Sequence, residues 1–276
     1  MRSLRAVLCV RSRQALWWGL AALLWAAPQL PAAPFRPGAV VLDFQNVSGY
    51  SGRLLARRAA DQLALDLGAT GCWRVIDRSQ TRRAAAQRDL RAPYAVGLMQ
   101  ELSHALGADV VFSGAIQKLE VNPKAGSVRL TVLVEAVDQI SGQSVLATVQ
   151  TGEVLRRDRA PEPTDVVVGE ALAAACALAA KAAAVNTGLL LTVTDPGDGK
   201  AVRLSPGPGV IVARGYRLLL YRAVVDGEER VPGKLIAALM VADCGPDACQ
   251  AQVLARAGDI HTDDIAVSIC CKEKGN

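Results

Sequence analysis

The sequence predicts an α+β protein, in which a mixed sheet flanked by helices is followed by a small all-β barrel or sandwich domain. Strand-like and amphipathic helical stretches alternate from Ala39 to about Val185, which is typical of a sheet covered by helices. From Gly188 onward, short strand-like runs alternate with glycine and proline turns, which is typical of small barrels and sandwiches. We therefore expect a signal peptide over 1–33, an α/β domain over 38–186 and a small β domain over 187–276.

The first 33 residues have the pattern of a secretory leader. The segment contains four arginines, all before Ala15, and no acidic residue. Its uncharged run Ala15–Ala27 is followed by small residues at Ala32 and Ala33. The run is shorter than the roughly 20 residues that span a bilayer comfortably. We therefore expect export to the periplasm or outer cell envelope, with a retained anchor as the alternative. Cys9 lies before the apolar run, so it is not placed as a lipobox cysteine.

Removing the leader brings the charge close to neutrality. The full chain has 31 basic and 26 acidic residues, and the mature chain would have 27 and 26, so the formal net charge falls from +5 to +1. Nucleic-acid binding requires a dense basic face, and we expect no nucleic-acid partner. The uncharged stretch Ala171–Ala180 is rich in alanine and bounded by Glu170 and Lys181. It predicts a packed helix, so we expect no stable membrane span after leader removal.

The elements of the first half follow from hydrophobic periodicity. Strands are predicted at Ala39–Phe44, Cys72–Ile76, Asp109–Val121, Ser127–Val137 and Gln143–Val154, and helices at Arg53–Leu67, Gln80 to Leu90, Val96–Leu106 and Thr164 to Val185. Ser79 is predicted to cap the second helix, and Gly107 to end the third. The last three strands form a meander, and the polar loop Gln45–Gly52 follows the first strand.

Seven strands are predicted in the second half. They are Leu189–Thr194, Val202–Leu204, Val210–Val212, Arg217–Val225, Lys234–Ala242, Ala248–Arg256 and Ile265–Ile269. Turn sequences such as Pro206-Gly207-Pro208-Gly209 separate them, and this turn lacks the Lys-Ser/Thr of a phosphate-binding loop.

Four segments of the first half match known motifs in order and spacing. They are Val40–Gly49 (a V-x-D-F-x-N-x-S-G opening), Trp73–Arg78, Leu106–Gly114 and Glu135–Gln143. With these motifs, the first half resembles the domain shared by the curli-secretion lipoprotein family (CsgG-like) and the TolB amino-terminal domain, and also the middle part of FlgT. The second half is similar, more weakly, to the small β domain that ends FlgT-like proteins.

The resemblance implies a set of residues that maintain the fold. They are Asp43, Phe44, Asp77, Arg78, Gly107, Asp109, Gly114 and Gly142. The curli exporter forms a pore through long membrane hairpins, whereas the turn between Val121 and Ser127 has only five residues here. A membrane-spanning strand needs about 9–11 residues, so the resemblance implies an adaptor more than a pore.

The cysteines of the last part of the chain suggest oxidative cross-linking. Cys244 and Cys249 end a short turn, and Cys270 and Cys271 are adjacent near the C-terminus. Because export favours disulfides, we predict a bridge between Cys244 and Cys249, with crossed pairing to the C-terminal pair as the next choice. A four-cysteine zinc site is the other alternative, although this spacing is unusual for zinc. Apart from that alternative, we predict no metal and no cofactor.

The mature chain has two histidines, His104 and His261. A hydrolase centred on His261 with Asp259 or Asp263 is one functional hypothesis, but no nucleophile motif accompanies it. We therefore predict a non-enzymatic protein and assign no small-molecule ligand.

The leading functional prediction is an exported envelope protein that binds other envelope proteins or itself as an assembly factor. Its contact surfaces are predicted at the edge of the meander and at the loop residues Gln45, Asn46, Ser48 and Tyr50. The alternative is a ring-forming accessory component of a secretion channel without membrane hairpins of its own.

Overall fold

The protein was analysed in a computed structural model that describes residues 35–122, 126–155, 164–227, 229–245 and 247–269. The predicted leader and the pair Cys270 and Cys271 lie outside the described residues.

The first part of the chain forms a mixed sheet with four helices. Its elements are β1 (Gly38–Val41), β2 (Gln45–Asn46), α1 (Gly52–Ala69), β3 (Arg74–Val75), α2 (Arg78–Gln87), α3 (Val96–Leu106), β4 (Val110–Asn122), β5 (Ser127–Asp138), β6 (Ser144–Leu155) and α4 (Thr164–Ala184). The strand order is β3-β1-β4-β5-β6, and β2 pairs with β4. The pairs of β1 with β3 and β4 are parallel, whereas β4, β5 and β6 form an antiparallel meander. The predicted α+β class is confirmed.

Buried side chains lie on both faces of the sheet. On one face, Leu130 and Val132 of β5 pack in the same cluster as Leu63 of α1 and Leu172 of α4. On the other face, Val40 and Leu42 belong to the cluster that includes Met99 and Leu102 of α3. Successive strand residues point to opposite faces, so the apolar run at the start of the domain supplies both layers.

The ends of two helices depend on specific residues. The cap predicted at Ser79 was wrong, because α2 begins at Arg78 and the Asp77 carboxylate accepts the backbone N–H of Ser79 and Gln80. Gly107 ends α3 with a φ of 62°, as predicted.

Helix α4 belongs to the core of this domain. It is long and apolar enough to cross a membrane by length and composition, and half of its apolar window is buried inside the protein. Its buried residues share a cluster with β5, β6 and α1, which is the packing that the alanine-rich sequence predicts.

The second part of the chain is a closed six-stranded barrel. Its strands are β7 (Leu190–Asp195), β8 (Ala201–Pro206), β9 (Arg217–Asp226), β10 (Glu229–Cys244), β11 (Cys249–Arg256) and β12 (Ile265–Ser268), in the order β10-β11-β8-β7-β12-β9. The strand predicted at Val210–Val212 was wrong, because this segment is an irregular connection between β8 and β9. The Val210 N–H donates to the Gly207 carbonyl in a turn at 3.1 Å, and Val212 is buried in the barrel core.

Strands β9 and β12 attach the barrel to the first domain. Leu218 and Leu220 of β9 point into the barrel core, whereas Leu219 and Tyr221 belong to the core cluster of the first domain. In β12, Val267 belongs to that cluster as well, which explains why both faces of these strands are apolar.

Candidate functional site

A charged cluster fastens the end of β1 to two helices. The Arg78 guanidinium donates to the Val41 carbonyl and to the Asp43 carboxylate, and its Nε lies 2.9 Å from Asp61 Oδ1 of α1. The Arg78 side chain is only 13% exposed. Arg82 of α2 also binds Asp61. These contacts hold α1 and α2 against the sheet, so they support the fold-maintaining role expected for Asp43 and Arg78.

Tyr94 adds a neutral hydrogen bond to the same end of β1. Its hydroxyl donates to the Asp43 carbonyl at 2.9 Å. Burial raises the pKa of Tyr94 to about 12, with a further contribution from the negative charge of Asp43. Tyr94 therefore remains a donor throughout the neutral range.

Two of the motif glycines are required by close packing. A Cβ at Gly114 would lie 2.5 Å from the Leu133 carbonyl oxygen and 2.7 Å from the ring of Phe44. Gly142 has a φ of 67° in the β5–β6 turn, and a Cβ there would lie 2.9 Å from Val96. These contacts give both residues a structural role.

Asp109 lies at the junction of the domain and the barrel. Its carboxylate accepts the Gly38 N–H at 2.6 Å, and burial raises the pKa of Asp109. The buried hydroxyl of Tyr221 lies beside this carboxylate without the geometry of a full hydrogen bond. The Tyr221 ring also packs edge-on against Phe35, with ring centroids 4.9 Å apart. Burial and then the Asp109 charge raise the pKa of Tyr221, so it remains neutral.

The predicted contact loop is held together by its own polar groups. Asn46 Nδ2 donates to the carbonyls of Tyr50 at 2.7 Å and Gly52 at 2.8 Å, while Asn46 Oδ1 accepts the Ser48 hydroxyl at 2.7 Å. The Tyr50 hydroxyl donates to Asp165 at the start of α4, and this bond raises the pKa of Tyr50.

Three of the four predicted contact residues form hydrogen bonds that hold the loop in place, and its exposed side chains are those of Gln45, Val47 and Ser51. Such a preformed loop would lose little conformational entropy on binding. The contact role of the loop remains a proposal.

The far edge of the meander is the longest unpaired strand edge of the described residues. Strand β6 has 12 residues and ends the sheet, so one of its edges pairs with β5 while no described strand pairs with the other. An unpaired edge presents backbone N–H and C=O groups that another strand can bind.

An apolar stripe crosses the open face of the meander and reaches this edge. Ala115 of β4 lies opposite Leu133 of β5, and Leu133 lies opposite Val149 of β6. Val149 is 55% exposed. The sequence predicts this edge but not the stripe, although the terminal position of the last meander strand and its uncharged centre are signals that point to these residues.

The barrel contains the predicted disulfide. Cys244 and Cys249 lie opposite each other across the β10–β11 hairpin and are bonded. Cys270 and Cys271, the other predicted disulfide candidates, lie outside the described residues. Cys72 and Cys176 are free thiols, and burial raises the pKa of Cys176 to about 12. Cys176 therefore behaves as an apolar core residue.

A shallow groove of about 610 Å³ lies beside this hairpin, with Asp195, Asp198 and Asp243 among its lining residues. Asp195 accepts the Gly197 N–H at 2.9 Å, and Asp198 accepts the Lys200 N–H at 2.9 Å. These two carboxylates therefore stabilise turns. Within the part of the chain that the structure describes, no group of three or more His, Cys, Asp or Glu residues is arranged to hold a metal ion.

The polar side chains around His261 hold their loop against the barrel through hydrogen bonds and ion pairs. Arg222 contacts His261 Nδ1 at 2.6 Å and forms an ion pair with Asp264 at 3.0 Å. Asp264 is buried and accepts the backbone N–H of His261, while Asp263 pairs with Arg230. In the described contacts, neither Asp259 nor Asp263 orients the imidazole, so this arrangement gives no support to the hydrolase hypothesis.

Comparison with solved structures found partial similarities. PelC dodecamer from Paraburkholderia phytofirmans is 18% identical over 52% of this chain and 84% of that chain, with a TM-score of 0.34. Lipoprotein GNA1162 from Neisseria meningitidis is 12% identical over 48% of this chain and 90% of that chain, with a TM-score of 0.37. Escherichia coli LpoB is 16% identical over 44% of this chain and 59% of that chain, with a TM-score of 0.34. No curated protein matched the sequence.

Comparison with family models gave a match over residues 22–159, which is half of the chain. The matching model is described as curli production assembly/transport component CsgG. The match contains all four motifs of the first half, together with the mixed sheet through β6. The chain therefore belongs to the CsgG family.

Proposed function

We propose that this chain is an exported, non-enzymatic protein of the cell envelope that binds other proteins or itself as an assembly factor. Membership of a family described by an assembly and transport component supports an assembly- or secretion-related role. The basic, apolar and small-residue pattern of residues 1–33 supports export to the periplasm or outer envelope.

The unpaired edge of β6 is the observation that carries the binding role. Natural edge strands are short, charged, proline-containing or covered, because an open edge promotes association with other chains. Strand β6 has 12 residues, and its segment Ser144–Gly152 contains no charged residue and no proline. Such an edge is expected in a protein that binds another polypeptide along this strand in its functional state.

The preformed loop after β1 is the second proposed contact surface. Val47 of the loop is 58% exposed, and Leu54 at the start of α1 is 55% exposed. The Tyr50–Asp165 bond links the loop to α4. The loop would therefore present its apolar groups without a disorder-to-order transition.

Cross-linking in intact cells tests this function. The full-length tagged protein is expressed in its own host and treated with a membrane-impermeable cross-linker, which reacts only outside the cytoplasm. We expect covalent complexes of defined mass in the envelope fraction. A matched variant without residues 1–33 should remain in the cytoplasm and give no such complexes.

Two results would contradict the proposal. One is a full-length protein that fractionates with the cytoplasm, and the other is an exported protein recovered only as an uncomplexed single chain. Complexes built from many copies of this chain in a closed ring would favour the accessory channel component over the assembly factor.

A further inference from the structure

We propose that two copies of this chain pair through the free edges of β6, antiparallel and around a two-fold axis, to form one continuous sheet. This inference deepens the proposed binding role by naming a partner, which is a second copy of the same chain. Three features of the described residues lead to it: the unprotected edge, the apolar groups on both sides of that edge, and the shorter or charged character of the other unpaired edges.

The edge of β6 has none of the usual protection against pairing. Its segment Ser144–Gly152 is without charge and proline, and the first charged residue of the strand is Glu153. Glu153 is itself paired with Arg129 of β5 at 3.0 Å. A second strand can therefore approach the centre of β6 without meeting an unpaired charge.

Apolar side chains flank this edge on the open face of the sheet. The stripe from Ala115 through Leu133 ends at Val149, which is 55% exposed at the edge. A strand added beside Val149 would continue the stripe and remove this side chain from water. Cross-strand pairs of β-branched residues are favourable on such a face.

Helix α4 provides apolar surface on the other face of the same edge. Ala171 of α4 is fully buried where it packs against Gly152 of β6, since a Cβ on Gly152 would lie 1.9 Å from the Ala171 carbonyl oxygen. Leu178 lies seven residues further along, on the same side of the helix as Ala171. Cys176, whose thiol contacts the Ala59 carbonyl of α1 at 3.6 Å, points to the opposite side.

Leu178 nevertheless remains 46% exposed. Ala171 is covered by β6, whereas no described strand lies beyond β6 to cover Leu178. A strand added to β6 would place its inward-facing side chains against Leu178. The edge thus offers backbone groups together with apolar contacts above and below them.

A second copy fits this edge because the other unpaired strand edges of the described residues are shorter, and the longer of them carry charges. The edge of β10 before Ala237 contains Arg230, Pro232 and Lys234, and the edge of β4 after Ile116 contains Lys118 and Glu120. The barrel is closed, and β2 and β3 have only two residues each. For self-association along the length of β6, the available partner strand is therefore β6 itself. Identical strands that pair by a closed two-fold contact must run antiparallel.

With the axis at Val149, the two Val149 side chains lie side by side on the open face. Ala147 of each copy then lies opposite Thr151 of the other, and the two Glu153 residues lie at opposite ends of the pairing, so no like charges meet. On the helix-covered face, Thr148 lies opposite Gln150, and these two side chains already form a hydrogen bond within one copy at 2.7 Å. The sequence of β6 is thus compatible with its own antiparallel copy.

The test is the molar mass of the purified mature protein, measured by size-exclusion chromatography with light scattering over a concentration series. We expect wild type and Val149→Ile to have twice the mass of a single chain. Val149→Lys places two lysines together at the axis, and it should raise the dimer dissociation constant by at least about tenfold. The matched control is Val225→Lys, at a valine that is 74% exposed on β9 and is paired with Arg230 of β10.

A wild type that is monomeric at every concentration would overturn the proposal, as would a Val149→Lys variant that dimerises like wild type. A ring larger than a dimer would also overturn it, because a two-fold contact closes at two copies. If Val149→Lys fails to fold by circular dichroism, Val149→Cys replaces it. A thiol oxidant should then link two Val149→Cys chains but not two Val225→Cys chains, and equal linking of both would overturn the proposal. These experiments contain only this chain. A negative result would therefore exclude the dimer without excluding the binding of other envelope proteins, which the cellular cross-linking tests.

Discussion

Replacement of Arg78 by methionine tests whether the charged cluster is what holds α1 and α2 against the sheet. Methionine retains most of the aliphatic volume of arginine but none of its hydrogen bonds. The change removes the bonds to the Val41 carbonyl, Asp43 and Asp61 together. Both helices lose a fastening to the same end of β1.

The expected magnitude follows from the exposure of each partner. The Arg78 side chain is 13% exposed, while the side chains of Asp43 and Asp61 are 34% and 48% exposed, so solvent screens both ion pairs. We assign about 1 kcal/mol to the two pairs together, at the level of partly exposed pairs. The charge-assisted bond to the Val41 carbonyl contributes about 2 kcal/mol. Arg78→Met should therefore lower the free energy of unfolding by about 3 kcal/mol.

Urea denaturation of the mature protein, followed by circular dichroism, measures this loss. The control is Arg91→Met, because Arg91 pairs with Asp89 at 2.8 Å while both side chains are more than three-quarters exposed. We expect little change in the control. A loss below about 1 kcal/mol for Arg78→Met would refute the reasoning, since it would mean that this motif residue is not needed for stability.

Three further predictions concern the core and the barrel. Gly114→Ala should lower the free energy of unfolding by about 1–3 kcal/mol, because its Cβ would meet Phe44, and urea denaturation measures this loss. Cys249→Ser should cost about 2 kcal/mol by opening the bridge to Cys244, and thiol titration of the unfolded wild type should find these two cysteines protected until a reductant is added. The pKa of Tyr94 is about 12 in the folded protein and about 10 when unfolded, so its contribution to stability is complete below pH ~10 and is lost as pH rises towards ~12. Tyr94→Phe should therefore show a smaller loss of stability over this range, and an unchanged alkaline loss would contradict that expectation.

The sequence contains strong signals for the long elements of the fold. Strands β4, β5 and β6 and helices α1, α3 and α4 were predicted within a few residues, because their hydrophobic periods extend over 11–21 residues. Local chemistry was less certain. Both Asp77 and Ser79 are residue types that cap helices well. In the structure, it is the Asp77 carboxylate that lies within reach of the first free N–H groups of the helix.

The barrel shows why other features could not be predicted. Val210–Val212 has the composition of a strand, but the Val210 N–H is used in a turn to the Gly207 carbonyl, and Val212 packs into the barrel without a strand partner. Tyr221 follows three leucines and is indistinguishable from them as a core residue in sequence. Its position beside Asp109 depends on how β9 docks against the first domain.

The sequence predicts where the candidate binding surface lies, but not all of the side chains that form it. The meander order identifies β6 as an edge, but the role of Leu178 depends on how α4 crosses the sheet above Gly152. In the contact loop, the sequence indicates polarity but not that Asn46 and Ser48 bind each other. The domain boundaries at 38–186 and 187–276 remain predictions.

Site-specific photo-cross-linking from position 149 in intact cells reports whether the β6 edge of the exported chain contacts a protein. We expect a cross-linked species in the envelope fraction when the photoreactive group replaces Val149, and none when it replaces Val225. An exported protein that forms no cross-link from position 149, or equal cross-links from both positions, would show that the β6 edge is not the binding surface.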